Sequence, residues 1–245
     1  TKQMEKELII AINNKSPSHS ELNNLLEQYQ NGRYGSTEKL ALSITQRFPE
    51  HQFAWKVLGA VIKQTGRISE SLFPSQKSVQ LKPLDTEAHN NLSVTLIDLG
   101  RLDEAEVSLK QAIALNPDYA EAHNNLGVTF KELGRLDESI DSYKRALSIM
   151  PKYAEAHYNL AITLKKLSRL EEAEASLRQA IVLKSNYAEA YNNLGNILQE
   201  LGKLDEAVAR LITAIELKPD YVEAWTNIYF PLNIIKSSES YSKDY

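Results

Sequence analysis

The segment 87–106 reads EAHNNLSVTLIDLGRLDEAE, and closely similar stretches of twenty residues follow it three more times. They are EAHNNLGVTFKELGRLDESI at 121–140, EAHYNLAITLKKLSRLEEAE at 155–174 and EAYNNLGNILQELGKLDEAV at 189–208. The interval between successive copies is 34 residues each time. A fixed period of this length is typical of repeat proteins, in which one small structural unit stacks on the next.

Glycine and proline mark where the repeated unit turns. Five of the nine glycines share one repeat position and five of the eight prolines another: Gly32, Gly66, Gly100, Gly134 and Gly202, and Pro49, Pro83, Pro117, Pro151 and Pro219. Apolar residues at helical spacing predict a first helix from Ala120 to about Leu133 and a second from about Leu136 to Ile149. Gly134 is expected to end the first helix in a left-handed conformation. The short connection makes the helices antiparallel, so each unit is predicted to be a helical hairpin.

Polar residues at the helix ends suggest how each helix begins. Asp118 lies three residues before Glu121, a spacing that predicts a capping box at the start of the first helix. The acidic pair Asp137-Glu138 suits the positive N-terminal end of the second helix. A series of tyrosines lies beside the starts of the first helices and is expected to seal one hairpin against the next: Tyr119, Tyr153, Tyr187 and Tyr221.

In this register the sequence resembles the tetratricopeptide repeat (TPR) family. The family pattern W-x2-L-G-x2-Y…A-x3-F…P is matched in one unit by His123, Leu126, Gly127, Phe130, Ser139, Tyr143 and Pro151. A second unit matches it with Tyr191, Leu194, Gly195, Leu198, Ala207, Leu211 and Pro219. The resemblance implies an all-α fold, a right-handed α-α superhelix or TPR solenoid built from antiparallel helical hairpins.

The repeat register divides the chain into units. We expect a capping helix over 1–17, a degenerate repeat over 18–51, and a weak repeat over 52–85 in which Pro74 delays or kinks the second helix. Four strong repeats occupy 86–119, 120–153, 154–187 and 188–221. A partial repeat helix is expected over 222–236, and 237–245 has the polar composition of a disordered tail. Because no polar cap follows the last repeat, we expect the chain to continue or another molecule to cover this face.

Composition argues against several functional classes. The chain has 28 Lys plus Arg against 32 Asp plus Glu, a net charge of −4, and so lacks the basic excess that nucleic acids and anionic membranes attract. It has no cysteine, which excludes thiolate chemistry and disulfides, and we expect a cytoplasmic protein. His89, His123 and His157 recur at equivalent positions on helices too far apart to share a metal easily. We expect no metal, no cofactor and no enzymatic activity of this chain alone.

A series of asparagines recurs on the first helix of each unit, away from its apolar stripe. One set lies at Asn91, Asn125, Asn159, Asn193 and Asn227, and a partial set lies beside it at Asn90, Asn124 and Asn192. In the TPR family the first helix lines the concave surface, so the resemblance implies a row of amides along an inner groove. Amides donate and accept hydrogen bonds, and can pair with a peptide backbone whatever its sequence. The alternative interpretation is that these side chains bond to adjacent helices or loops.

The amide series predicts a protein-interaction scaffold that binds an extended protein or peptide segment, with Lys131 and Lys165 adding local positive charge. The arrangement is similar to the TPR portion of O-linked N-acetylglucosamine transferases, where an asparagine ladder holds protein substrates. A second hypothesis makes the chain the substrate-recruiting N-terminal domain of a larger bacterial glycosyltransferase, sulfotransferase or methyltransferase. A third is self-association into a homo-oligomer through the uncapped terminal repeat. Neither nucleic acid nor a membrane is an expected partner.

Overall fold

The computed structural model describes residues 16–241, and all regular secondary structure in that part of the chain is α-helical. The chain divides into two compact units, with the boundary between Asp118 and Tyr119. Unit 1 contains α1 (His19–Gln30), α2 (Tyr34–Arg47), α3 (Gln52–Gln64), α4 (Ile68–Leu81), α5 (Thr86–Asp98) and α6 (Leu102–Leu115). Unit 2 contains α7 (Ala120–Glu132), α8 (Leu136–Ile149), α9 (Ala154–Lys166), α10 (Leu170–Leu183), α11 (Ala188–Glu200), α12 (Leu204–Leu217) and α13 (Val222–Tyr241). Odd-numbered helices are the first helices of the hairpins and even-numbered ones the second, which confirms the all-α TPR architecture.

The turn inside each hairpin follows the prediction made from glycine. Gly134 has a φ of 76°, and its N–H donates to the carbonyl of Lys131 at 3.1 Å. The N–H of Arg135 donates to the carbonyl of Phe130 at 2.9 Å, completing the double hydrogen-bond pattern of a left-handed helix end. Gly32, Gly66, Gly100 and Gly202 also have positive φ, whereas the equivalent position after α9 is held by Ser168.

The predicted capping box at Asp118 is wrong by one residue. Helix α7 begins at Ala120, so its N-cap is Tyr119, whose side chain caps nothing. The repeat places the cap position at Asp85 in the preceding unit, and there a carboxylate does accept a hydrogen bond from the N–H of Ala88 at 3.0 Å. The motif therefore needs an acidic residue one position later than Asp118, where most repeats carry tyrosine.

The two helices of a hairpin approach closely at a glycine of the first helix. A Cβ atom on Gly127 would lie 2.6 Å from Cε1 of Tyr143, and one on Gly195 would lie 2.6 Å from Cγ of Leu211. The Ser139 hydroxyl donates to the carbonyl of Gly127 at 2.8 Å, so this contact is polar as well as steric. Close approach at these positions brings the first helices against the buried core of unit 2.

Pro74 does not delay the start of the second helix, which is one form of the irregularity predicted from sequence. Helix α4 starts at Ile68, at the same repeat position as the other second helices, and continues through the proline to Leu81. Pro74 is buried, and its Cβ would lie 3.6 Å from a Cβ on Gly59 of α3. Burial of the ring beside a glycine offsets the backbone hydrogen bond that proline cannot make.

The C-terminal part of the chain also differs from its prediction. Helix α13 passes through Pro231 and ends at Tyr241, so the first five residues of the predicted disordered tail are helical. A proline removes one hydrogen bond, but the residues beyond it can continue their own helical bonding. The last four residues, and nearly all of the predicted capping helix over 1–17, lie outside the described residues.

Candidate functional site

The two asparagine sets on the first helices differ in how far they are buried. The main set, named the amide row here, is half-buried at every described position: Asn91, Asn125, Asn159, Asn193 and Asn227. The second set is buried, with exposures of 8% at Asn90, 1% at Asn124 and 3% at Asn192. The amide row is therefore the more accessible of the two sets to solvent.

Within unit 2 the amide row connects each first helix to the one before it. The side-chain Nδ2 of Asn159 donates to Oδ1 of Asn124 at 3.2 Å, and Nδ2 of Asn227 donates to Oδ1 of Asn192 at 2.9 Å. Asn124 and Asn192 thus serve as acceptors for the amide row. The alternative interpretation, that these amides bond to adjacent helices, holds for part of their hydrogen-bonding capacity.

Asn193 makes the same connection to a different acceptor. Its Nδ2 donates to the hydroxyl of Tyr158 at 3.1 Å and to the carbonyl of Glu189 at 2.9 Å. Tyr158 stands where the other repeats carry the buried asparagine, and its hydroxyl replaces the amide oxygen. Both amide hydrogens of Asn193 are therefore used within the chain.

Part of the hydrogen-bonding capacity of the amide row is unused by the described residues. The Oδ1 atoms of Asn159, Asn193 and Asn227 accept no hydrogen bond from the described residues. Asn91 in unit 1 makes no side-chain hydrogen bond within the described part of the chain, because Lys56 stands at the acceptor position and is bound to Asp85 and Glu87. Asn91 also lines a small cavity of about 100 Å³.

The two lysines predicted at the site do not add unpaired positive charge. Lys131 lies 3.2 Å from a carboxylate oxygen of Glu132, and Lys165 lies 3.0 Å from one of Glu200 on the next first helix. Opposite charges at these distances cancel most of each other's field at a distance. The lysines therefore give this surface little preference for an acidic guest.

The tyrosine series lies against the first helices, as predicted from its position. The rings of Tyr158 and Tyr187 are 5.0 Å apart between centroids. Asn192 Nδ2 lies 3.4 Å from the Tyr221 hydroxyl, and Lys218 Nζ sits 5.0 Å from the centre of that ring. Burial raises the pKa of Tyr221 to about 12, with neighbouring Glu223 adding to the effect. These tyrosines remain neutral and contribute to packing at neutral pH.

The histidines at equivalent positions have a structural explanation. Nε2 of His89 lies 2.9 Å from the carbonyl of Pro83, and Nε2 of His157 lies 3.0 Å from that of Pro151. Trp225 makes the equivalent bond from Nε1 to the carbonyl of Pro219 at 3.0 Å. A ring nitrogen close to this carbonyl is thus shared by His89, His157 and Trp225, whereas Tyr191 at the same repeat position has no ring nitrogen.

Neither metal chemistry nor a membrane span has a candidate in the described part of the chain. Residues 16–241 contain no group of three or more His, Cys, Asp or Glu side chains arranged to hold a metal ion. None of the described helices is both long and apolar enough to cross a bilayer.

Comparison with known sequences identifies the repeated unit. The TPR repeat family matches four overlapping segments of the chain, 94–134, 129–168, 164–202 and 195–228. They span residues 94–228, more than half of the 245 residues. No curated protein matches the chain.

Solved structures share the architecture. A thermophilic TPR protein of Thermus thermophilus, TTC0263, is 26% identical with a TM-score of 0.63, over 74% of this chain and 98% of that one. A chain of the APC/C hetero-tetramer Cut9–Hcn1 is 17% identical with a TM-score of 0.79 over 87% of this chain, which spans only 44% of that one. YrrB, described as a TPR protein with an unusual peptide-binding site, is 16% identical with a TM-score of 0.57, over 76% of this chain and 96% of that one. The repeat matches, taken with the alternating helical hairpins, show that the chain belongs to the tetratricopeptide repeat family.

Proposed function

We propose that this chain is a protein-interaction scaffold, without catalytic activity of its own, that binds an extended peptide segment along the amide row. The observation that supports this most directly is the unused hydrogen-bonding capacity of the row. Asn91 has its whole amide available, and Asn159, Asn193 and Asn227 each keep an amide oxygen that accepts nothing from the described residues. Half-buried amides of this kind can bind a backbone without selecting its side chains.

The remaining capacity defines the chemistry of recognition. In unit 2 the donors of the row are partly or wholly used to connect helices, so the row offers chiefly acceptors. An extended peptide presents backbone N–H groups at regular intervals and would donate them to these oxygens. Asn90, Asn124 and Asn192 would act as positioning residues, because they orient the amide row from behind. Lys131 and Lys165 would contribute little, since each is paired with a glutamate.

Asn91→Ala separates binding from stability. Because the Asn91 side chain makes no hydrogen bond within the described part of the chain, its loss should leave the melting temperature nearly unchanged. Binding of a peptide selected from a displayed library of short random sequences should weaken about three- to tenfold, as expected for losing one or two hydrogen bonds. Calorimetric titration and thermal unfolding measure the two effects.

Two further variants make this experiment specific. Asn159→Ala should weaken binding and also lower the free energy of unfolding by about 1 kcal/mol, because it removes the bond to Asn124. Asn186→Ala removes an exposed amide outside the row and should change neither quantity. A library that yields only peptides whose affinity is the same for the wild type and for Asn91→Ala would contradict the proposal.

Self-association is a second candidate function, favoured by the exposed apolar residues of α13. Val222 is 73% exposed, Trp225 48% and Tyr229 63%. Large apolar side chains grouped on one helix are typical of an interface with another molecule. Light scattering over a concentration series should then show a mass that rises with concentration in the wild type and stays monomeric in Tyr229→Glu. Val182→Glu, at an exposed valine of α10, is the control.

The transferase hypothesis and the likeness to O-linked N-acetylglucosamine transferases remain predictions from the sequence resemblance. A recruiting domain would hold the substrate protein through the same amide row and leave the chemistry to another domain. The complete reading frame that encodes the chain tests this hypothesis, since a transferase domain must be encoded with it.

A further inference from the structure

Unit 1 contains an apolar cavity of about 590 Å³ between the second helices α4 and α6. Its floor is formed by Leu92 and Leu96 of α5, and its walls include Val79 of α4 and Val107 of α6. Asp103, at the start of α6, also lines it. The volume lies within the range of about 300–1,000 Å³ that is typical of ligand pockets.

The neighbouring groove of unit 1, between α2 and α4, carries a pair of aromatic rings. Trp55 of α3 and Phe73 of α4 meet edge to face, with ring centroids 5.6 Å apart. At the equivalent positions of the cavity the chain carries His89 and Val107, which are smaller and leave the space unfilled. The repeat itself therefore shows that an aromatic side chain fits this place.

In unit 2 a cation spans the equivalent groove between α10 and α12. Arg178 of α10 reaches Glu206 of α12 at 2.8 Å and also contacts Glu174 at 2.7 Å. The arginine stem thus crosses the groove, and its guanidinium binds acidic residues on both sides. In unit 1 the equivalent of Arg178 is Gln76, which has no charge and so cannot form this ion pair.

The leucine at the floor of the groove is more exposed in the cavity than in the other grooves. Leu58, Leu160 and Leu194 stand at the repeat position of Leu92 and are 2%, 6% and 1% exposed. Leu92 alone among these four is half-buried. Apolar floor and walls, left open to solvent, favour an occupant that covers them.

The charge at the edge of the cavity defines the chemistry of that occupant. Arg101 binds the carboxylate of Glu104 through two hydrogen bonds, of 2.6 and 2.7 Å, and so neutralises it. Asp103 forms no ion pair with any described residue. A cation beside the apolar contact would pair with Asp103, because Glu104, the equivalent of the Glu206 that Arg178 binds in unit 2, is already held by Arg101.

We propose that this cavity is a docking site for a segment of a partner protein that inserts a large apolar side chain and places a lysine or arginine beside it. The apolar side chain takes the place that Phe73 fills in the neighbouring groove. The cation binds Asp103, which lines the cavity and forms no ion pair with any described residue. This site is distinct from the amide row, because it is built from the second helices and the opposite residues of α5.

Three helical peptides test the site. The probe peptide carries a leucine and an arginine one helical turn apart on an otherwise alanine and glutamine face, and its two variants replace Leu by Ala or Arg by Glu. Fluorescence anisotropy should show binding of the Leu/Arg peptide, at least tenfold weaker binding of the Ala peptide and at least threefold weaker binding of the Glu peptide. Methyl NMR should show shifts at Leu92 and Val107 on binding.

Variants of the chain complete the test. His89→Trp with Val107→Phe recreates the Trp55–Phe73 pair and should weaken binding at least tenfold without lowering the melting temperature. His157→Trp with Ala175→Phe makes the same change in unit 2 and should leave binding unchanged. Asp103→Asn should weaken binding two- to fivefold, the effect expected of a partly exposed ion pair, and Asp137→Asn should not.

Three outcomes would overturn the proposal. One is equal binding of the Leu/Arg and Glu peptides, since the site would then select no cation. Another is undiminished binding to the folded His89→Trp/Val107→Phe variant. The third is that no peptide binds, whereas the cationic amphiphile dodecyltrimethylammonium binds the wild type and not the double variant. The occupant of the cavity would then be a small molecule.

Discussion

Ser168 shows how one residue can carry a local cost that its neighbours avoid. It follows α9 with a φ of 56°, in the position where five other repeats have glycine. The hydrogen bonds of the helix end are intact, since the N–H of Arg169 donates to the carbonyl of Leu164 at 3.0 Å. A side chain with a Cβ atom is strained in this conformation by about 1–2 kcal/mol.

Ser168→Gly should therefore stabilise the protein. Relief of the strain exceeds the extra entropy that glycine loses on folding, so the free energy of unfolding should rise by about 0.5–1 kcal/mol. Urea unfolding followed by circular dichroism measures the change. Gly134→Ala places a Cβ in the same conformation and should act in the opposite direction. A Ser168→Gly variant less stable than the wild type would show that the serine side chain has a compensating role.

The amide row shows which residue-scale features the sequence could predict. Its 34-residue period and its place on the first helices follow from the pattern alone. The use of each amide hydrogen does not, because the acceptor of Asn159 is Asn124, which lies 35 positions earlier and on another helix. Tyr158 adds to the difficulty, since a hydroxyl replaces an amide as acceptor for Asn193.

At the scale of the helices, close packing depends on pairs of residues rather than on glycine alone. Gly127 of α7 faces Tyr143 of α8, and no room exists for a Cβ between them. In the next repeat, the same places are held by Ala161 and Leu177, both fully buried. Leu177 leaves room for the Ala161 methyl group, whereas Leu211 would lie 2.6 Å from a Cβ on Gly195, so the local separation of the two helices matters as well as the size of the partner. The hydroxyl of Tyr143 is buried without a hydrogen-bond partner in the described part of the chain.

Gly127→Ala should destabilise the protein by about 1–3 kcal/mol, because the Cβ atom would overlap the Tyr143 ring. Gly127→Ala with Tyr143→Leu recreates the Ala161–Leu177 pair and should recover most of that loss. The double-mutant cycle, measured by urea unfolding, should therefore give a coupling of about 1 kcal/mol or more. Additive effects of the two substitutions would mean that the helices relax apart instead of clashing.

The prolines show where helix rules fail at this scale. Pro74 and Pro231 both lie inside helices, although a proline usually ends or kinks one. The local sequence shows only that Pro74 lacks a backbone N–H. What retains the helix is tertiary, namely the burial of the ring beside Gly59 in α3. The repeat register can be predicted because it rests on many residues. Whether a single proline interrupts a helix depends instead on the residues that pack around it.

Across the whole molecule, carboxylates with a lowered pKa occur in both units. In unit 1, hydrogen bonds from Arg47 and the N-cap Ser18 lower the pKa of Glu21. Burial raises the pKa of Asp85, but hydrogen bonds from the Ala88 N–H, Lys56 and Gln52 outweigh it and leave the pKa lowered. In unit 2, burial raises the pKa of Glu174, but hydrogen bonds from Lys203 and Arg178 outweigh this effect and leave the pKa lowered. These groups bind protons more readily in the unfolded chain than in the folded one.

The stability that these carboxylates contribute should be present above about pH 4.5 and lost as the pH falls through their lowered folded values. Between the pKa of these carboxylates in the unfolded chain and their lowered pKa in the folded chain, the unfolded chain takes up protons that the folded chain does not. Acidification over this range therefore favours unfolding. Glu174→Gln should lower the free energy of unfolding by about 1 kcal/mol at pH 7, because the charge-assisted bonds to Arg178 and Lys203 are weakened. The difference from the wild type should shrink as the pH approaches about 3. Urea unfolding from pH 7 to about pH 3 measures it, with Glu216→Gln as an exposed control. A Glu174→Gln deficit that stays constant over this range would show that packing, and not the charge of Glu174, supplies its contribution.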